Sequence, residues 1–200
     1  MARRLRPVGL DFIEDAPIRL TFTARTAAGP EAVYRALAED VAGWPRWFGA
    51  VTLARPTHGG AGREVRLVGG TRFQETIMAA DPERRYAYRV DETNAPGVRA
   101  LLEEWLLRPA EPLPGSGTDP GTGTGTDSGA GSGTGPGTGT DTGSGAGVGA
   151  GTLVRWTFAA DGPALFRLAL AGARPGLGHS FRSAVRALDA RLSSGRPDGR

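Results

Sequence analysis

The chain has 200 residues, 32 Gly, 15 Pro, no Cys and a formal charge of +3. The absence of Cys excludes disulfides, thiolate nucleophiles and zinc–thiolate sites. All 24 basic residues are Arg, spread through the chain apart from Arg3, Arg4 and Arg6, a scatter that argues against a nucleic-acid partner.

No apolar run reaches the roughly 18 residues of a membrane span. Asp11, Glu14 and Asp15 interrupt any signal-peptide core. A soluble, cytoplasmic protein is expected, with residues 1–16 as an N-terminal extension and the three leading Arg side chains solvated.

In chain order, Ile18, Leu20 and Phe22 alternate with Arg19, Thr21 and Thr23, the period of a half-buried strand. Pro30 then opens a helix, where its missing N–H costs nothing. Val33 and Leu37 share one face of it. Asp40 to Gly43 breaks this helix, and Trp44 to Phe48 is expected to form a second short one. Five more strand-like segments follow the helices: Val51–Leu53, Val65–Leu67, Phe73–Ile77, Tyr86–Val90 and Leu101–Leu107. Turn signals at Thr57–Gly60, Gly69-Gly70, Asp81-Pro82 and Asn94–Gly97 separate them.

Residues 115–151 interrupt the pattern. This tract of 37 residues holds 16 of the 32 Gly, no aromatic residue and three Asp, so the remainder carries +6. Such a composition cannot bury enough apolar surface to offset its backbone entropy. It is expected to be a disordered hairpin insertion, because the strand that follows, Leu153–Phe158, is too short to found a domain. The remaining 163 residues suit one domain, 17–192, with 193–200 as a flexible tail.

Leu177, Phe181, Ala184, Val185, Leu188 and Leu192 recur at steps of three and four, an amphipathic stripe on a terminal helix. Phe166, Ala169, Leu170 and Ala173 form a similar stripe before it. Arg174-Pro175-Gly176 lies between them, and a kink or break is expected there. The order of elements describes an α+β container: a curved sheet, two short helices and one long C-terminal helix.

With these segments in place, the chain resembles the SRPBCC superfamily of START-like helix-grip proteins. Within it, the likeness is to the polyketide cyclase/dehydrase and lipid-transport group. The residues that carry the resemblance are Pro30-Glu31-Ala32-Val33-Tyr34, Trp44-Pro45-Arg46-Trp47-Phe48, Asp81-Pro82-Glu83-Arg84-Arg85-Tyr86-Ala87-Tyr88, Glu104-Trp105-Leu106 and Gly151-Thr152-Leu153-Val154-Arg155-Trp156-Thr157. It implies a helix-grip fold: a seven-stranded antiparallel sheet wrapped round the C-terminal helix, two short helices after the first strand, and a cavity between. Members bind lipids, polyketides or hormones, and only some are enzymes. None of the quoted motifs is catalytic.

The residues themselves suggest what such a cavity would contain. Trp44, Trp47, Phe48, Phe73, Tyr86, Tyr88, Trp105 and Phe181 are candidates to contact an apolar or aromatic ligand, and Trp156 could stack on a flat one, although at least two of the four Trp are expected to be plain core. Glu75 lies between Phe73 and Ile77 on what reads as an apolar strand face. Burial would raise its pKa into the acid–base range; alternatively an Arg partner makes it half of a structural pair. Glu103 raises the same question, but both faces of its strand are apolar. Tyr34 is a further hydroxyl candidate. His58, in a Gly-rich turn, and His179, opposite the helical stripe, read as solvent-facing, and neither metal nor cofactor is expected. The first functional reading is a binding module for a hydrophobic small molecule. The alternative is a cyclase or aromatase-type enzyme that uses Glu75 or a Tyr as acid or base.

Replacing residues 115–151 with a two-residue Asn-Gly turn should leave the unfolding free energy unchanged or slightly raised in a urea titration. A fall of several kcal/mol would show that the tract contributes to the fold.

Overall fold

The computed structural model of the chain describes residues 2–111 and 151–194. The expectation of disorder for 115–151 therefore lies outside the described residues, except for Gly151, as does most of the proposed tail.

The elements run β1 (Arg3–Arg4), α1 (Phe12–Asp15), β2 (Ile18–Thr26), α2 (Pro30–Tyr34), a π-helical turn (Arg35–Glu39), a 3-10 helix (Val41–Arg46), β3 (Val51–Thr57), a short 3-10 turn (His58–Gly60), β4 (Gly62–Leu67), β5 (Arg72–Asp81), β6 (Arg85–Thr93), β7 (Ala100–Pro109), β8 (Thr152–Asp161) and α3 (Ala164–Ser194). Seven strands form one antiparallel path in the order β2-β8-β7-β6-β5-β4-β3, and the two-residue β1 pairs with β6 off that path. This is the helix-grip arrangement. The strongly curved sheet closes on α3, whose Phe181, Ala184, Val185 and Leu188 are buried in the same core as Leu20, Phe22, Trp105 and Trp156.

Each strand expected from the alternation is present. The Gly69-Gly70 connection suits its hairpin because both residues have positive φ, +86° and +83°, which glycine adopts without steric cost. β7 and β8 pair as far as Pro109 and Thr152, so residues 112–150 connect neighbouring antiparallel strands.

Three expectations need correction. The second short helix starts at Val41 and ends at Arg46, before Trp47 and Phe48, so Asp40 is its N-cap and not the start of a longer break. Of the kink or break expected at Arg174–Gly176, the break is absent: α3 is one helix of 31 residues with Pro175 inside it. Ala171, four residues earlier, is exposed, and water can bond the carbonyl that the proline leaves free. The N-terminal residues are solvated only in part. Arg3, Arg4 and Arg6 are exposed, but Leu5, Val8, Phe12 and Ile13 are buried. Val8, Phe12 and Ile13 pack on the outer face of the sheet against Ala100, Leu102 and Ala159, and Leu5 packs with Val90, Val98, Leu101 and Ala160.

α3 is tied to the sheet at its far end. Asp189 Oδ1 accepts from the Ala27 N–H at 2.8 Å and from the Thr26 hydroxyl. Among the described residues no helix is long and apolar enough to cross a membrane.

Candidate functional site

Between the inner face of the sheet and the first half of α3 lies a cavity of about 300 Å³. Its wall is mostly apolar: Trp44 and Phe48 from the 3-10 helix and its exit, Val65 and Leu67 from β4, Phe73 from β5, Leu101 from β7, Trp156 and Phe158 from β8, and Phe166, Leu170 and Leu177 from α3. Four polar side chains interrupt that wall on adjacent strands: Arg63, Glu75, Tyr88 and Glu103.

Strand register brings the four together. Arg63 lies directly across from Glu75 in the β4–β5 pair, as Val65 lies across from Phe73. Tyr88 lies across from Glu103 in the β6–β7 pair. Period-2 alternation then points all four to the inner face.

Arg63 is 1% exposed. Its Nε donates to Glu75 Oε2 in a fully buried ion pair. Its guanidinium carbon sits 3.7 Å from the Tyr88 ring centroid and 4.1 Å from that of Trp44, so the cation lies in the corner of two rings set at 75° to each other. Desolvation works against the charge, and Glu75 together with the tyrosines more than offsets it, raising the Arg63 pKa. Arg63 Nη1 is buried with no hydrogen-bond partner.

Glu103 anchors a second set of bonds. Its Oε2 accepts from the Tyr88 hydroxyl at 2.8 Å and from Trp156 Nε1 at 2.9 Å. Trp105 Nε1 in turn donates to the Tyr88 oxygen at 3.1 Å. Burial, with Glu75 close by, pushes the Glu103 carboxyl up to about 7, against the hydrogen bond from Tyr88 and the more distant Arg63. Burial also pushes the Glu75 carboxyl up, against the direct pull of Arg63.

Of the residues expected from sequence to face a ligand, Trp44, Phe48, Phe73, Glu75, Tyr88 and Glu103 line the cavity. Trp47, Tyr86, Trp105 and Phe181 do not. They are buried behind the wall, where Trp47 and Trp105 pack against Trp44 and Phe181 stacks on Trp156. Tyr34 is also core. His58 and His179 are exposed. The charged residue of the wall that sequence reasoning missed is Arg63. The signal was present: it shares strand parity with Val65 and Leu67, which read as inward-facing. A larger open groove of about 760 Å³ runs along Asp81, Glu83–Arg85 and Leu106–Pro109, away from this cluster.

The family model described as "Polyketide cyclase / dehydrase and lipid transport" matches residues 17–193. The chain belongs to this family. It is thereby placed in the SRPBCC/START-like superfamily, as the sequence motifs imply. No curated protein matches the chain in sequence. Solved structures share the polyketide cyclase/dehydrase and lipid-transport fold at low identity. XoxI from Bacillus cereus is 15% identical with a TM-score of 0.56, over 88% of this chain and 95% of that one. A START superfamily protein from Mycobacterium smegmatis is 12% identical with a TM-score of 0.53, over 88% and 97%. The di-domain ARO/CYC BexL from the BE-7585A biosynthetic pathway is 16% identical with a TM-score of 0.57, over 90% of this chain and 48% of that one.

Two predictions follow from the geometry of the cluster. Removing one partner of a buried ion pair leaves an uncompensated charge, at a cost of about 3–5 kcal/mol. Glu75→Leu should therefore destabilise the fold by about that much in urea titration, and Arg63→Met with Glu75→Leu together by much less. Equal losses for the single and the double variant would show that Arg63 needs no partner.

The second concerns pH. The folded state holds the Glu103 proton more tightly than the unfolded chain does, with a pKa of about 7 against an ordinary 4.5. The stability that Glu103 contributes is therefore full below 4.5 and is lost as pH rises to about 7, a total of about 3 kcal/mol at 1.36 kcal/mol per unit. Glu103→Gln, whose amide oxygen can take both bonds to Oε2, should be more stable relative to wild type at pH 8 than at pH 4 by about that amount. A difference independent of pH would show that folding leaves the Glu103 pKa unchanged.

Proposed function

We propose that the protein binds an apolar or aromatic small molecule in the cavity, with the ligand's polar end against Arg63, Tyr88 and Glu103. One observation carries this reading: a wall of Trp, Phe, Leu and Val is interrupted by one convergent polar group, in which a buried guanidinium nitrogen has no partner. Ligand sites have this character, apolar with a few placed polar groups, and the volume falls at the small end of their usual 300–1,000 Å³. The family description, which names both cyclase/dehydrase and lipid transport, agrees with an apolar ligand.

A second reading, acid–base catalysis on the bound molecule, is favoured by the convergence of two carboxyls, a tyrosine and an arginine. The likeness to BexL, described as an ARO/CYC of a biosynthetic pathway, points the same way. In this reading Glu103 is a better acid or base than Glu75. Glu75 is engaged by Arg63, whereas Glu103 titrates close to neutral pH, where proton transfer is most effective.

Thermal melting against fatty acids, quinones, sterols and aromatic polyketides tests the first reading. A true ligand at 100 times its Kd should stabilise the fold by about 2.7 kcal/mol. Leu170→Trp, which fills the cavity from α3, should abolish the shift. No shift with any compound, or one that Leu170→Trp leaves intact, refutes binding in this cavity. Loss of turnover in Glu103→Gln with ligand affinity retained would decide for the second reading.

A further inference from the structure

We propose that Glu103 meets the ligand as a neutral carboxylic acid with its proton on Oε1, and so selects molecules that offer a carbonyl oxygen over molecules of the same shape that do not. The inference rests on the cavity being a ligand site, and it concerns the group that decides which ligand fits.

The position of the proton comes from hydrogen-bond accounting. Trp156 Nε1 can only donate, and it donates to Glu103 Oε2 at 2.9 Å. The Tyr88 oxygen accepts from Trp105 Nε1, which leaves its own proton directed at the same Oε2, 2.8 Å away. Both acceptor sites of Oε2 are thus filled by donors. A proton on this carboxyl belongs on Oε1, which takes no hydrogen bond from a described residue on a side chain that lines the cavity.

Charge counting says that the proton is present. The elements packed round Glu103 present one cation, Arg63 from β4, and one other carboxyl, Glu75 from β5. Tyr86 and Tyr88 from β6 are neutral, and burial raises both phenols further. β8 presents Trp156 and Phe158, the 3-10 helix presents Trp44, and α3 presents Leu177 and Ser180, none of them charged. Arg63 is already bonded to Glu75. A carboxylate at Glu103 would be a second anion with no cation of its own, in a site shielded from water, and neutralisation is the cheaper outcome. The shift of the carboxyl to about 7 agrees with that count.

The cavity then offers one donor, Glu103 Oε1–H. A ligand carbonyl oxygen satisfies it. A hydrocarbon of equal shape does not, and a site with an unpaired polar group rejects such an analogue strongly. Above pH 7 the proton leaves, Oε1 becomes an acceptor, and it repels the same carbonyl.

The test uses 2-acetylnaphthalene and 2-isopropylnaphthalene, which match in shape and are both neutral, so any effect of pH arises in the protein. Their Kd values are measured by equilibrium dialysis on the full chain from pH 5.5 to 9. The expected result is a preference for the ketone of tenfold or more at pH 5.5 that falls away above pH 7, while the hydrocarbon's Kd stays flat. Glu103→Gln places a permanent N–H donor at the position of Oε1, because its amide oxygen takes the bonds from Tyr88 and Trp156. It should keep the preference across the whole range. If both compounds bind wild type with no preference, or with a preference that pH does not alter, the inference falls and the cavity reading stands. If Glu103→Gln shows the same pH dependence as wild type, the titrating group lies elsewhere and the inference also falls. If neither compound binds at any pH, the inference falls, and the cavity reading is decided by the melting panel. Should Glu103→Gln not fold, the wild-type comparison decides alone. An infrared band from a protonated carboxyl that vanishes through pH 7 would support the assignment, and no such band in wild type at pH 5.5 would overturn it.

Discussion

The buried charge of Arg63 is the constraint to which the rest of the site is fitted. A guanidinium removed from water needs a counter-ion and polarisable surroundings, since desolvation alone costs several kcal/mol. Here Glu75 supplies the charge from the neighbouring strand, and Trp44 and Tyr88 supply two aromatic faces nearly at right angles. A desolvated cation–π contact contributes about 2 kcal/mol, so the cation ties three separate segments together. Trp44 is held in turn by its own Nε1, which donates to the Leu37 carbonyl at 2.9 Å. The short helices after β2 are thus locked to β4, β5 and β6 through one side chain. A shift of β4 by one residue would turn Arg63 to the outer face and bring Glu64 inward, away from its partners Arg55 and Arg66.

The cavity exists because α3 does two jobs along its length. From Gly178 onward it is core, with Phe181, Ala184, Val185 and Leu188 buried. Before that point only Phe166, Leu170 and Leu177 turn toward the sheet, each half-buried, and Leu165 and Leu168 are exposed. This first half stands off the sheet instead of closing on it. Its start is fixed by Gly162, where a Cβ would collide with the Phe166 ring and the Gly97 carbonyl. Pro175 is tolerated for the same reason that the cavity is open: the turn before it faces water and not the core.

The fold was legible in the sequence because it depends on periods. Ile18, Leu20 and Phe22 alternate, the stripe from Leu177 to Leu192 repeats at three and four, and Gly59-Gly60 and Gly69-Gly70 mark two of the hairpins. The site was legible in part. Glu75 could be placed inside because Phe73 and Ile77 share its parity. Arg63 was passed over because an arginine reads as solvated until a partner is known, and its partner is 12 residues away on the next strand. Glu103 stayed undecided because Leu102 and Glu104, on the opposite face, are buried too. The N-terminal segment covers Leu102 with Val8, Phe12 and Ile13, and such coverage leaves no local periodic trace. Trp47, Trp105, Tyr86 and Phe181 were indistinguishable from cavity residues, because an aromatic side chain has the same hydropathy behind a wall as on it.

The balance of charge in the cluster also bears on how binding and chemistry are related in this protein. With two carboxyls and one guanidinium, the site is neutral only when one carboxyl holds a proton. Glu75 has the cation in direct contact, so the proton falls to Glu103. A neutral cluster admits an apolar ligand without forcing a net charge into contact with it, which favours carriage. The same proton, held by a carboxyl that titrates close to neutral pH, is available to a ligand oxygen as charge develops on it, which is what a general acid requires. The two functional readings therefore share one protonation state and differ in the molecule that would enter.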